Sequence, residues 1–200
     1  MTRQTAQPIE HLSLNPSFVP VLQLVNEVGR GELTLDPPYQ RGDQWSAAQR
    51  LGLVETWLRG LCAGVVILAD RTNPAWIAAH PDRNAENTAD ESWSACIDGR
   101  QRITTAVMLY RSEIAIPASW LPEDHIQSVE QTDDGPYTRF DRLTLKGRLV
   151  LERRASLLVS TAKECATLAD EAAMYLLVNG AGTPQSPADL ANAARVAGRS

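Results

Sequence analysis

Residues Trp93 to Arg111 read WSACIDGRQRITTAVMLYR, and the change of pattern halfway along this stretch sets the fold. Trp93 to Asp98 has strand character. Ile103 to Arg111 reads as an apolar helix, through Val107, Met108, Leu109 and Tyr110. Between them lies Asp98-Gly99-Arg100-Gln101-Arg102, where Gly99 lets the chain turn without a Cβ clash. A strand that turns directly into a helix predicts an α/β or α+β protein.

Working outward, the same alternation recurs. Phe18 to Val28 has mostly helical spacing and is stopped by Gly29-Arg30-Gly31. Glu32 to Asp36 alternates like a short strand, and Pro37-Pro38 ends it because proline cannot donate to a ladder. Ser46 is the expected N-cap of a helix over Ala47 to Arg59, closed by Gly60. Val65 to Ala69 is a β-branched run fit for a strand buried on both faces. Asn73 to Ser92 lacks periodicity and reads as a loop insertion. Ile114 to Ile116 reads as a short strand, and Pro117 to Pro136 as loop. Leu143 to Leu151 fits either helix or strand, and Ser156 to Thr161 reads as a strand. Leu168 to Val178 is an expected helix, with Asp170 and Glu171 suiting its positive end. A glycine turn at Asn179 to Pro184 then leads to a last helix from Ser186-Pro187. The implied layout is a tail over 1–13 and one domain over 14–197, with its insertion near 73–92.

Composition narrows the function class. With 44% hydrophobic and 22% charged residues, the chain has the balance of a globular protein. A formal net charge of -5 opposes a general polyanion binder, which needs clustered Lys and Arg. Cys62, Cys96 and Cys165 are too scattered for a disulfide framework or a zinc site. His11, His80 and His125 read as isolated surface or loop histidines. Met1 to Glu10 is polar, unlike a signal peptide, and the longest apolar run falls short of the roughly 20 residues that span a bilayer. The expected setting is cytoplasmic, without membrane contact.

Three segments carry possible chemistry. The first is Asp98 to Thr105. Free N–H groups and the dipole at a helix start form an anion site, to which Arg100 and Arg102 add forked bonds and Thr104 and Thr105 add hydroxyls. Asp98, at the strand end, can hold Mg2+ through water. The competing reading is a solvated corner with its arginines in water. The second segment is Pro37 to Trp45, where Tyr39 and Trp45 can stack a base and Arg41 can reach phosphate; a turn that caps the core competes with this. The third is Asn179 to Pro184, whose glycines form either an anion nest or a turn after a helix.

In type and order these segments resemble the N-terminal domain of GmrSD-type modification-dependent restriction enzymes, within the ParB/sulfiredoxin-like superfamily. The family's P-x-Y-Q-R-x-x-x-W segment is matched by Pro37, Tyr39, Gln40, Arg41 and Trp45. Its D-G-Q-Q-R-L-T-T signature is matched by Asp98, Gly99, Gln101, Arg102, Thr104 and Thr105, with Arg100 replacing the first Gln. Its N-x-G-G-T-P-L-S segment is matched by Asn179, Gly182, Thr183, Pro184 and Ser186.

The resemblance implies a small mixed sheet flanked by helices, and a nucleoside triphosphate bound and hydrolysed between the first two motifs. On this basis Asp98 and Arg102 are the expected catalytic residues. Tyr39, Gln40, Arg41, Gly99, Arg100, Gln101, Thr104 and Thr105 are expected to bind the nucleotide, with Trp45, Asn179, Gly182 and Thr183 secondary. Longer members continue into an HNH nuclease; the three scattered histidines lack that pattern, so a complete nuclease is not expected. Two alternatives stand beside hydrolysis. One is phosphoryl transfer to a small molecule or modified DNA base. The other is a non-enzymatic module that binds DNA or a separate nuclease or effector protein, using Arg50, Arg59, Arg100, Arg102 and Arg111.

Overall fold

The β-branched run after Gly64 becomes the middle of a five-stranded sheet. The computed structural model describes residues 11–12, 14–40, 42, 45–81, 92–180 and 195–196. Arg41, Gly182, Thr183, the expected helix after Ser186 and most of the 1–13 tail lie outside the described residues. The strands of the main sheet are β1 (Ser17–Pro20), β2 (Leu33–Thr34), β3 (Val65–Asp70), β4 (Ser94–Asp98) and β8 (Ser156–Ala162), in the order β1-β8-β3-β4-β2. The pairs β3–β8 and β2–β4 are parallel, whereas β1–β8 and β3–β4 are antiparallel. A second, three-stranded sheet has the order β5-β7-β6, from β5 (Ile116–Pro117), β6 (Glu130–Thr132) and β7 (Gly135–Thr138). This is the mixed α/β architecture expected, and it is compatible with a ParB/sulfiredoxin-like arrangement.

Two apolar cores lie against the main sheet. Val66, Leu68, Leu157 and Val159 pack with α1 (Val21–Gly29), α2 (Ala47–Leu58), α4 (Arg100–Tyr110) and α5 (Leu145–Arg154), burying Leu24, Trp57, Ile103, Leu109 and Leu151. Ala69, Ala95, Ile97 and Ala162 pack with α6 (Leu168–Gly180) through Ala172, Met174 and Tyr175. Burial on both sides explains the near-continuous apolar character of β3. No described helix is long and apolar enough to cross a membrane.

Several boundaries differ from the sequence reading for identifiable reasons. The first helix starts at Val21 rather than Phe18. Ser17–Pro20 instead pairs with β8 as an edge strand, where Pro20 loses no ladder bond. Part of the expected loop after Asn73 is α3 (Pro74–Ala79), capped by the Asn73 side chain, which accepts from the Trp76 N–H at 2.8 Å. The supposed loop over Pro117 to Pro136 contains the β6–β7 hairpin, turned by Asp133-Asp134 before Gly135. Leu143 to Leu151 resolves as helix, with Thr144 accepting from the Gly147 N–H. His125 is buried rather than superficial, and α5 passes so closely that a Cβ on Gly147 would lie 2.3 Å from the His125 carbonyl oxygen. The Ser46 cap forms as expected, as a capping box with Gln49.

Glu171 has a role that dipole reasoning did not reveal. It is fully buried, and the Arg71 guanidinium donates to both of its oxygens at 2.8 Å. Tyr39 Oη donates to it at 2.9 Å, and Arg71 also lies 4.8 Å from the centroid of the Trp76 ring. Removing one partner of such a pair strands a charge in the core. Glu171→Gln is therefore expected to cost about 3–5 kcal/mol in urea unfolding; a loss below about 1 kcal/mol would show that the pair does not hold the α6 layer.

Candidate functional site

β2 and β4 run parallel, and although Thr34 lies opposite Ala95, three residues short of the end of β4, both strands point their C-terminal ends the same way. Open α/β sheets present ligand sites at such ends. From β4 the chain passes through Gly99 into α4. Gly99 has φ +96° and forms the N-cap, so α4 begins at Arg100, three residues earlier than the apolar spacing suggested. The signature is thus the first turn of the helix itself. A Cβ on Gly99 would sit 2.6 Å from Val66 Cγ2 and 3.0 Å from Arg102 Nη1. Val66 is fully buried and cannot easily yield.

The charged residues of the corner are paired. Arg102 Nη1 donates to the Val65 carbonyl at 2.8 Å and lies 3.7 Å from Asp98 Oδ2. A Cβ on Gly64, itself at φ +83°, would lie 3.3 Å from Arg102 Nη2. One guanidinium therefore lies against two left-handed glycines. Arg100 pairs with Asp36, just beyond β2. Two aspartates and two arginines thus alternate across the ends of neighbouring parallel strands.

The remaining predicted residues divide into those that hold this corner and those that do not reach it. Gln40 Nε2 donates to the carbonyls of Cys96 and Ile97 at 2.9 and 2.7 Å, tying the Pro37–Gln40 segment to the end of β4. Gln101 Nε2 reaches the Gly42 carbonyl at 3.4 Å. Thr105 is fully buried; its hydroxyl donates to the Gln101 carbonyl at 2.7 Å and accepts from Arg50 Nη1 at 3.2 Å. Thr104 is half-buried one residue earlier on α4. Tyr39 is 1% exposed and packs against Tyr175 with ring centroids 5.6 Å apart. Its buried ring is not available to stack a base, and burial beside Glu171 pushes its phenol pKa well up. Trp45 is half-buried against the first core. Asn179 donates to the Tyr175 carbonyl within α6, serving that helix.

Three residues of the corner escaped the sequence reading. Asp36 looked like the end of a strand, and Gly64 drew no reading at all. Arg50 was read as part of an arginine face but is 4% exposed; its position on the apolar side of α2, between Leu53 and Val54 around the helix, was the available signal. Cys96 lies beside the corner, but burial and the nearby Asp98 push its thiol pKa well up, so it is no thiolate nucleophile at neutral pH. A cavity of about 300 Å³ lies elsewhere, lined by Glu55, Leu58, Arg59, Ser119 and Trp120.

As for a metal, no group of three or more His, Cys, Asp or Glu side chains converges among the described residues. A protein-built cage is therefore not what the described residues offer. One strand-end carboxylate suits only an ion that brings other ligands with it.

Compared with known proteins, residues 21–195 match the family described as the GmrSD restriction endonuclease N-terminal domain. No curated protein and no solved structure matches.

The packing around Gly99 gives a direct test. Gly99→Ala adds left-handed strain of about 1–2 kcal/mol and a clash with Val66, for a total of about 2–4 kcal/mol in chemical denaturation. Gly60→Ala shares the positive φ but has nothing within 4 Å of the added Cβ, and should lose only the strain. Equal losses for the two would show that the corner is not tightly packed.

Proposed function

The chain belongs to the GmrSD restriction endonuclease N-terminal domain family, and from that premise we propose that its β4–α4 corner binds and hydrolyses a nucleoside triphosphate. The observation that carries this reading is the pair of arginines on the first turn of α4, which the left-handed turn at Gly99 starts directly at the end of β4. Helix starts attract phosphate through their N–H groups and dipole. Guanidinium forks bind phosphate oxygens with directed, charge-assisted bonds.

In this reading Arg100 and Arg102 neutralise the phosphate chain, and Gln40 and Arg50 keep the corner rigid from behind. Phosphoryl transfer to water asks little covalent chemistry of a protein and much positioning. Water attacks the γ-phosphorus, the bond to the bridging oxygen breaks, and inorganic phosphate leaves the nucleoside diphosphate. Asp98 orients the attacking water as an acceptor. A magnesium ion arriving on the phosphates would be held by Asp98 through water and would supply further neutralisation of the phosphate oxygens. Membership in a restriction family supports a role for this hydrolysis in control of DNA cleavage.

Calorimetric titration with ATP, GTP, CTP and UTP in the presence of magnesium tests the reading. Binding of at least one is expected, weakened more than about tenfold in Arg102→Ala, which loses a charge-assisted contact worth about 1.5–3 kcal/mol. That variant should keep the circular dichroism spectrum of the native chain. Asp98→Asn should bind but release far less phosphate. Flat titrations for all four nucleotides with folded native protein would sink the proposal.

A further inference from the structure

The two Asp–Arg pairs of the corner are unequal. Arg102 is fixed: its guanidinium is bonded to the Val65 backbone and packed against Gly64, and its partner Asp98 ends a sheet strand. Arg100 is different. Its side chain is 17% exposed, whereas that of its partner Asp36 is 74% exposed. The carboxylate lies on the solvent side of a largely buried guanidinium, past the end of the two-residue strand β2.

A carboxylate and a phosphate are alternative acceptors for the same guanidinium fork. We infer that Asp36 is a resident carboxylate that a ligand phosphate displaces from Arg100. The inference rests on the proposed triphosphate site and adds its regulation: in the free protein, the first turn of α4 already carries an internal anion. Such an exchange is feasible because Asp36 stands largely in solvent, where an ion pair contributes little, on the order of 0–1 kcal/mol. A phosphate group brings more charge and more oxygens than the carboxylate it replaces. Asp36 therefore acts as a competitor built into the fold, lowering affinity while keeping Arg100 oriented. Asp98 is less suited to this part, because its carboxylate is only 30% exposed, against 74% for Asp36.

The test uses Asp36→Asn, Arg100→Gln and the double variant, titrated calorimetrically with the four nucleoside triphosphates and magnesium, and compared on the one that the native chain binds most tightly. Removing the competitor should tighten binding by about fivefold at low salt, the equivalent of one exposed ion pair. The gain should shrink at high salt, where exposed charges are screened. In the Arg100→Gln background, Asp36→Asn should change nothing, since the coupling between the two residues is the whole effect. Asp36 is exposed, so its variant should unfold at the same temperature as the native chain. Native binding with an unchanged or weakened Asp36→Asn overturns the inference and leaves the triphosphate site standing. So does a gain that persists without Arg100. Absence of binding by every variant and by the native chain overturns both.

Discussion

The left-handed turn at Gly99 is the constraint on which the rest of the corner depends. It lets β4 end and α4 begin without a connecting loop, and it does so against a fully buried Val66. Because the turn is tight, the N–H groups of Arg102 and Ile103 both close onto the Gly99 carbonyl, at 3.0 and 3.2 Å. The same geometry sends Ile103, Ala106 and Leu109 into the first core and leaves Arg100 and Arg102 at the rim. Core packing and arginine placement are consequently one property, since moving the helix start would displace both.

A second layer of support comes from the opposite face of the sheet. Glu171 on α6 receives Arg71 and Tyr39, and the residue after Tyr39 is Gln40, which grips the last carbonyls of β4. A buried carboxylate is tolerated there because its oxygens are engaged by charge-assisted and hydroxyl donors. From the first face, Arg50 reaches the corner through Thr105 and the Gln101 carbonyl. The strand end is thus held from both sides, leaving the Asp36–Arg100 pair as the part open to exchange.

Local patterns were readable in the sequence, and long-range pairings were not. The strand-to-helix switch at Asp98-Gly99, the Ser46 cap and the buried run at Val65 each follow from neighbours within a few residues. The β6–β7 hairpin and α3 also had local signals, in Asp133-Asp134-Gly135 and Asn73-Pro74, but their short lengths hid the periodicity that longer elements show. β1 was absorbed into the following helix because Phe18 and Val19 fit either spacing. Nothing local pairs Tyr39 with Glu171 across 132 positions, so Tyr39 read as a stacking platform when it is a core residue. Asp36 was equally silent, because its meaning lies in Arg100, 64 positions away.

The central claim, that phosphate groups seat on the first turn of α4, is tested most directly by amide shifts in proton–nitrogen NMR spectra as a nucleoside triphosphate and magnesium are added. The account predicts the largest changes at Gly99, Arg100, Gln101 and Arg102, with smaller ones at Asp36 and Gln40. Changes centred instead on Glu55, Arg59, Ser119 and Trp120, which line the separate cavity, would contradict it.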